Sequence, residues 1–256
     1  MKLAVISDIH EDLNNLTKAL RMIEKAGCDE IACLGDITGF SIPFYKYHNT
    51  RNANECIRLI AENAKYVVAG NHDHYAIRKL PQHIPGFNLP DNWYALPFEK
   101  RKEISKGQLW LYEENELSAL LNDKSSQWLS QLPEKICIQA GEFQILFSHF
   151  LYPDITGITT KFLTNIRNFQ PHREFMKSLK VDLSLFGHTH QAGLLVVRNI
   201  VTELETTKKA SLNSTTEGIG IPAIASSSGY SGFAILNTIK KNITTRSINS
   251  VFKISS

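Results

Sequence analysis

Residues 3–6 form an unbroken apolar run closed by Ser7 and Asp8, the pattern of a strand buried on both faces. Leu13, Leu16, Leu20 and Ile23 then recur at helical spacing, with the Asp8-x-His10 segment or Asp12 as candidates to cap the helix and Gly27 to stop it. Two more apolar runs, residues 31–34 ending at Gly35-Asp36 and residues 66–69 ending at Gly70-Asn71, bracket a second helical pattern through Cys56, Ile57, Ile60 and Ala64. Strand, helix, strand, helix, strand predicts a parallel sheet with crossover helices.

From Asp73 to Trp110 the periodicity lapses at Pro81, Pro85, Pro90 and Pro97, and about residues 74–132 read as an excursion or small cap. Leu117, Leu120 and Leu121, then Trp128, Leu129 and Leu132, predict helical turns or short helices. Strands are expected at 135–138, 143–147 and 181–186, with a helix at 171–179 before the last. Beyond His190, segments at 194–197, 219–225, 233–236 and 243–248 predict antiparallel strands that complete a second sheet, and residues 206–218 predict a polar, mobile loop. No repeat, linker or low-complexity tract divides the chain, so a single domain over residues 1–256 is expected.

Composition narrows the class. A chain of 256 residues, 43% hydrophobic and 21% charged, is not a disordered or collagen-like protein and is long enough for a sizeable core and a concave site. The net charge of +3 is uneven: residues 1–150 carry 16 basic and 19 acidic side chains, residues 151–256 carry 12 and 6. That excess is smaller than the clustered basic stripe of a nucleic-acid binder, so nucleic acid is allowed as a substrate but not favoured. The densest run, Lys100-Arg101-Lys102, reads as a solvated face. Cys28, Cys33, Cys56 and Cys137 show no CxxC spacing and read as buried free thiols of a reducing compartment. The apolar start is too short for a signal-peptide core and no run of about 18 apolar residues follows, so a cytoplasmic protein with no membrane segment is expected.

The chemistry gathers at strand ends. Asp8-Ile9-His10 follows the first strand, Gly35-Asp36 the second, Gly70-Asn71-His72-Asp73 the third, Ser148-His149 the strand from Phe143, and Gly187-His188-Thr189-His190 the strand from Val181. The carboxyl ends of parallel strands form the crevice where ligands bind in open α/β sheets, so five segments deliver Asp, Asn and His to one cleft. In an extended chain, residues two apart point the same way, which lets Asp8 and His10, or His188 and His190, approach one centre. Glycine before Asp36, Asn71 and His188 permits a tight turn and close backbone approach. Two Asp, one Asn and four His exceed the ligands of one tetrahedral ion; they suit two ions with a shared carboxylate. Nitrogen and oxygen donors without thiolate favour Mn, Fe or Zn.

The order DxH, GD, GNHD, H, GHTH from Asp8 to His190 resembles the calcineurin-like metallophosphoesterase superfamily of binuclear phosphatases and phosphodiesterases. The resemblance implies an α/β, four-layer α/β/β/α sandwich, two mixed sheets flanked by helices. It implies that Asp8, His10 and His190 bind one divalent or trivalent metal ion, that Asn71, His149 and His188 bind a second, and that Asp36 bridges them. His72 would be the catalytic histidine near the leaving group, and Asp73 would orient its imidazole. The implied activity is hydrolysis of a phosphodiester or phosphomonoester, a small nucleotide-like phosphate ester being favoured, by attack of a metal-bridging hydroxide. Rival readings are a noncatalytic, metal-stabilised protein-binding scaffold and a nuclease on the same binuclear centre; the full ligand set with His72 disfavours the scaffold.

The sequence departs from some branches. Ile37-Thr38-Gly39 lacks the arginine of the GDxVDRG segment of protein Ser/Thr phosphatases, and Asp73 stands where they have Glu. Glu11 follows His10 where many relatives have a small residue, and is expected to crowd or charge the entrance. His48, His83 and His172 read as surface or loop residues, and His74 as lying near the cleft. Phe40, Phe44, Tyr45, Tyr47 and Trp93 read as core or cap packing, with a pocket for an aromatic or nucleoside leaving group as the alternative. Residues 226–229 read as a strand turn able to approach a phosphate. Specificity is expected in residues 39–54 and 73–110.

Overall fold

In the computed structural model, which describes residues 1–199, 204–225 and 229–248, the first half of the chain runs β1 (Lys2–Ile6), α1 (Leu13–Lys25), β2 (Glu30–Cys33), β3 (Phe40–Ser41), α2 (Ala53–Asn63), β4 (Tyr66–Val67), α3 (Asn71–Ala76), α4 (Phe98–Ser105), β5 (Glu116–Leu117) and α5 (Asp123–Ser130). The second half runs β6 (Lys135–Ala140), β7 (Phe143–Ser148), α6 (Gln170–Leu179), β8 (Leu183–Phe186), β9 (Leu194–Arg198), β10 (Glu205–Thr207), β11 (Lys209–Ser211), β12 (Thr216–Gly220), β13 (Gly232–Asn237) and β14 (Asn242–Ser247). Asp12 caps α1 by accepting from the Asn15 amide at 3.0 Å, and Gly27 follows the helix at φ +61°.

Two six-stranded sheets result, ordered β11-β14-β13-β1-β2-β4 and β10-β9-β12-β8-β7-β6. β1, β2 and β4 are parallel, as are β7, β8 and β12, and antiparallel strands extend both sets. Between the sheets lies a core that includes Leu3, Val5 and Leu34 from one side and Phe147, Leu185 and Val196 from the other, all fully buried. Alternation along β1 sends Ala4 and Ile6 the opposite way, into a layer with Leu16, Ile23, Ile57, Ile60 and Leu129 of α1, α2 and α5. Across the other sheet, Leu146 and Phe186 pack on Phe169 and Met176 beside and within α6. The layers are therefore α/β/β/α. Each fully buried Leu or Ile stabilises this arrangement by about 1.5–3 kcal/mol.

The late strands depart from expectation. They complete the second sheet only in part: β9, β10 and β12 extend the sheet of β8, while β13, β14 and β11 extend that of β1. Hydrophobic pattern marks a strand but not the neighbour it joins. The predicted mobile loop at 206–218 contains paired strands, with β10 on β9 and β11 on β14. These are short edge strands; in β11 only Ala210 turns inward between exposed Lys209 and Ser211, so the segment reads as polar. Conversely, residues 221–225 leave the sheet and anchor under the cleft, where the Ile224 and Ala225 amides donate to the carbonyls of Ser7 and Asp8.

Leu117 lies in β5, not in a helix, and Leu120 is exposed; only the second half of that leucine pattern becomes a helix, α5, capped by Asn122. Ile84, Trp93, Leu109 and Ile158 build a small separate cluster beside the sandwich. Arg101, expected on a solvated face, is buried against Glu113 at 2.6 Å, whereas Lys100 and Lys102 are exposed. Of the cysteines, all free, Cys33 and Cys56 are buried, Cys28 is half-buried and Cys137 is exposed on an edge strand. Among the described residues, no helix is long and apolar enough to cross a membrane.

His172 is not a surface residue either. It is fully buried on α6, where Nδ1 accepts from the Tyr152 amide at 2.8 Å and Nε2 lies 2.8 Å from Ser184 Oγ. Burial pushes its pKa down to about 3. The unfolded chain titrates near 6.5, so this stability is fully present above that pH and is lost at about 1.4 kcal/mol per pH unit as the pH falls toward the folded value. His172→Gln is expected to flatten that limb of the acid-unfolding profile, and an unchanged limb would contradict the assignment.

Candidate metal centre

β1, β2 and β4 of one sheet and β7 and β8 of the other end at one rim of the sandwich. Asp8, His10, Asp36, Asn71, His149 and His188 are buried there, with His190 and His72 more open. The chain does not stay extended to achieve this. Asp8, His10, Glu11, Asp36, His188 and His190 all have left-handed φ, between +47° and +67°. Convergence of residues two apart is therefore a product of sharp turns, not of strand alternation. Each such residue costs about 1 kcal/mol or more, and the turns are pinned by hydrogen bonds between strand ends. The Ile9 and His10 amides donate to the Asp36 carbonyl at 2.8 and 3.0 Å, and the His188 amide donates to both Asp8 carboxylate oxygens at 3.1 Å.

Two glycines make the approach possible. A Cβ on Gly70 would stand 2.1 Å from Asp36 Oδ1, and one on Gly39 would stand 2.4 Å from His72 Nδ1. Neither position accepts a side chain without displacing the site.

Three overlapping groups bring their ligand atoms within 4.8 Å of one another: Asp8, His10 and His190; Asp36, His149 and His188; and His10, Asp36 and His72. His10 Nδ1 donates to the Gly39 carbonyl at 2.8 Å, which turns the Nε2 lone pair toward His190 Nε2, 3.2 Å away. His149 Nδ1 likewise donates to the Leu34 carbonyl at 2.7 Å, leaving Nε2 3.0 Å from Asp36 Oδ2. Asn71 Nδ2 donates to Tyr112 Oη at 2.6 Å, so Oδ1 is its free acceptor. Asn71 Oδ1 and His188 Nε2 are buried without a hydrogen-bond partner, a cost of about 1–3 kcal/mol each. Acceptors facing one another around two carboxylates, with two left unpaired, are the donor set of a cation.

Burial and neighbouring charge divide the rings. Burial, with the charge of neighbouring His72 or His149, pushes His10 and His188 down to about 3, which keeps both rings neutral as ligands must be. Burial alone would raise Asp8 and Asp36, but the His190 and His149 rings outweigh it and hold both carboxyls well below the usual range. Burial would likewise lower His149, but the Asp36 carboxylate pushes it up to about 10, so without a cation its Nε2 carries a proton toward Asp36 that a bound cation would displace.

The sequence model of the calcineurin-like phosphoesterases matches residues 1–192. The chain belongs to this family. An uncharacterized protein of Methanocaldococcus jannaschii is 40% identical over 77 residues, a match spanning 30% of this chain and 28% of that protein. In fold, the chain is similar to a metallophosphoesterase from Sphaerobacter thermophilus (TM-score 0.64, 21% identity, 96% of this chain and 87% of that one). It is also similar to a hypothetical protein from Pyrococcus horikoshii OT3 (TM-score 0.60, 14% identity, 96% and 87%). All the His/Asp groups lie in the segment that the family model matches.

Against the family pattern, the structure moves one expected partner. The Asp73 carboxylate does not touch the His72 ring. It accepts from the amides of Ile37 and Thr38 at 3.0 Å and of Gly70 at 3.1 Å, and from Thr38 Oγ1 at 3.1 Å, tying the GD and GNHD turns together. His72 Nδ1 instead meets Glu116 Oε2 at 2.5 Å. β5 carries Glu116 to this place by pairing with β3, Ser41 opposite Glu116 and Phe40 opposite Leu117. Burial would lower His72, but the Glu116 and Asp36 carboxylates outweigh it and push it up to about 9. No local pattern marks Glu116 in the sequence, because its role depends on a two-residue ribbon between distant segments.

Glu11 does not crowd the entrance. Its carboxylate is buried on Arg51 at 3.1 Å and accepts from the Gly39 amide at 3.3 Å. His74 turns away from the centre, with Nε2 3.6 Å from Glu134. His83 stacks on Tyr152 and His48 packs on Phe40. Of the aromatic set, Phe44 and Tyr45 line a cavity of about 360 Å³ that opens over His10, His72, His188 and His190, while Phe40 and Trp93 are core residues and Tyr47 Oη donates to the His10 carbonyl. Trp110, Tyr112 and Phe162, unmarked in the sequence reading, complete the cavity wall. The turn expected at residues 226–229 lies largely outside the described residues.

Proposed function

We propose that this protein is a metal-dependent hydrolase of small phosphate esters. Asp8, His10 and His190 would hold one cation and Asn71, His149 and His188 a second, with Asp36 shared. The observation that carries this reading is the position of Asp36. Its Oδ2 is 3.0 Å from His149 Nε2 in one group and 3.9 Å from His10 Nε2 in the other; His188 shares the first group, and its Nε2 and Asn71 Oδ1 are buried and unpaired. Cations such as Mn, Fe or Zn, when bound there, supply Lewis acidity toward phosphoryl oxygens and ease deprotonation of an attacking water.

The chain's own residues do the rest. Asp36 Oδ1 accepts from the His72 amide at 2.9 Å, which fixes the start of α3 against the shared carboxylate. Glu116 holds His72 at Nδ1, so Nε2 is the atom left to face the cavity, 4.0 Å from Asp36 Oδ2. The Glu116 carboxylate on Nδ1 favours the protonated ring, which can deliver a proton to a departing ester oxygen. Tyr45 and Tyr112 pack on His10 and His72 at 5.1 and 4.6 Å between ring centres and hold those rings in place at the rim.

The test is hydrolysis of a bis-aryl phosphodiester and an aryl phosphomonoester by Mn²⁺-loaded protein, with chelated protein as control. Turnover of at least one, abolished by chelation and restored by Mn²⁺, is expected. Turnover that persists after chelation would contradict the proposal, as would silence toward both substrates with metal verified as bound.

A further inference from the structure

Each of the two His/Asp groups that share Asp36 has an aromatic wall of its own. On the His10 side stands Tyr45, its ring 5.1 Å from the imidazole, followed by Phe44 at the cavity mouth. On the His188 side, Phe162 lies nearly parallel to the imidazole, at 5.6 Å and 18°, with Trp110 edge-on to it at 6.1 Å. Phe44 and Phe162 are 67% and 46% exposed, so each flank ends in apolar surface that gains free energy by being covered.

Charge points the same way. None of the sixteen cavity-lining residues is Lys or Arg among the described residues, whereas Asp36 and Glu116 both contribute carboxylates. A phosphomonoester at neutral pH carries between one and two negative charges, its second pKa being about 6. A phosphodiester carries one and presents an organic group on each side of phosphorus. The wall has no Lys or Arg for the second charge of a monoester, the charge of His72 being engaged by Glu116, and its two apolar flanks match two ester groups.

On the reading that this centre hydrolyses phosphate esters, we infer that its substrate is a phosphodiester bearing a flat, uncharged ring, aryl or nucleoside, on each flank, one against Phe44 and Tyr45 and the other against Trp110 and Phe162. Hydrolysis breaks one P–O ester bond: water supplies the new P–O bond, the departing oxygen takes a proton, and a monoester and an alcohol leave.

Three substrates that share a para-nitrophenolate leaving group test this: phenyl para-nitrophenyl phosphate, methyl para-nitrophenyl phosphate and para-nitrophenyl phosphate. The phenyl diester should exceed the methyl diester in kcat/KM by about tenfold, the scale of one well-covered ring, and the monoester should be slowest. Of Phe44→Ala and Phe162→Ala, the one on the flank of the non-leaving group should lower the phenyl-to-methyl ratio, and the other should slow both diesters alike. A monoester faster than the phenyl diester, or equal rates for the two diesters, would overturn the inference while leaving the hydrolase intact. Calorimetric titration of metal-loaded protein with diphenyl phosphate and dimethyl phosphate reads the flanks without turnover. Tighter binding of the diphenyl ester supports them even if no substrate is cleaved and the hydrolase reading fails; equal binding of the two overturns them.

Discussion

Asp36→Asn is expected to empty both halves of the centre and to lower turnover by more than about a hundredfold, since even supporting residues of metal sites cost 10- to 100-fold when removed. Asp36 belongs to two of the three His/Asp groups, and its Oδ2 lies between His149 and His10. Asparagine keeps the shape and can still accept from the His72 amide, so the turn should survive. What it loses is the negative charge that holds His149 and faces both groups. Metal content after equilibrium dialysis checks the result directly. Two ions per chain in the variant would contradict the shared role of Asp36.

His72→Ala should separate chemistry from metal binding. Metal content should stay at the wild-type level, and turnover should fall by about 10²- to 10⁴-fold, the range for loss of a positioned general acid. The loss should be greatest for esters with poor leaving groups, which most need a proton, and smaller for nitrophenolate. Glu116→Gln should give the same leaving-group trend at smaller amplitude, because the ring keeps a hydrogen-bond partner at Nδ1 but loses the charge that raises its pKa. Asp73→Asn should behave differently. Its carboxylate binds three backbone amides and the Thr38 hydroxyl, so that variant should lower thermal stability without a leaving-group trend. Full activity of His72→Ala toward an alkyl ester would remove the histidine from the mechanism.

These contrasts show where the sequence was readable. Asp8, Asp36, Asn71, His149 and His188 each follow a strand within a few residues, so local pattern alone brings them to one rim. Two things were hidden. The backbone at Asp8, His10, His188 and His190 is left-handed, which strand alternation does not foresee, and the correct convergence came from an incorrect local geometry. Glu116, Tyr112 and Phe162 reach the centre only through tertiary structure, β3 pairing with β5 in the first case, and carry no periodic signal.

In the fold, the first parallel strands and their helices were legible because residues 3–6 are an unbroken apolar run and Leu16, Leu20 and Ile23 repeat at helical spacing. The edge strands β10 and β11 were not, since an edge with one inward residue looks like a loop. His172 is hidden for a related reason: it stands between Pro171 and Arg173 on α6, and its buried partners, the Tyr152 amide and the Ser184 hydroxyl, come from other segments.

The most direct test of the central claim is to titrate chelated protein with Mn²⁺ and to follow bound metal and phosphoester turnover in the same samples. Two ions bound per chain are expected, with turnover absent in the metal-free protein and reaching its plateau as the second site fills. Saturation at one ion with full turnover, or turnover independent of bound metal, would contradict a hydrolase built around the shared carboxylate of Asp36.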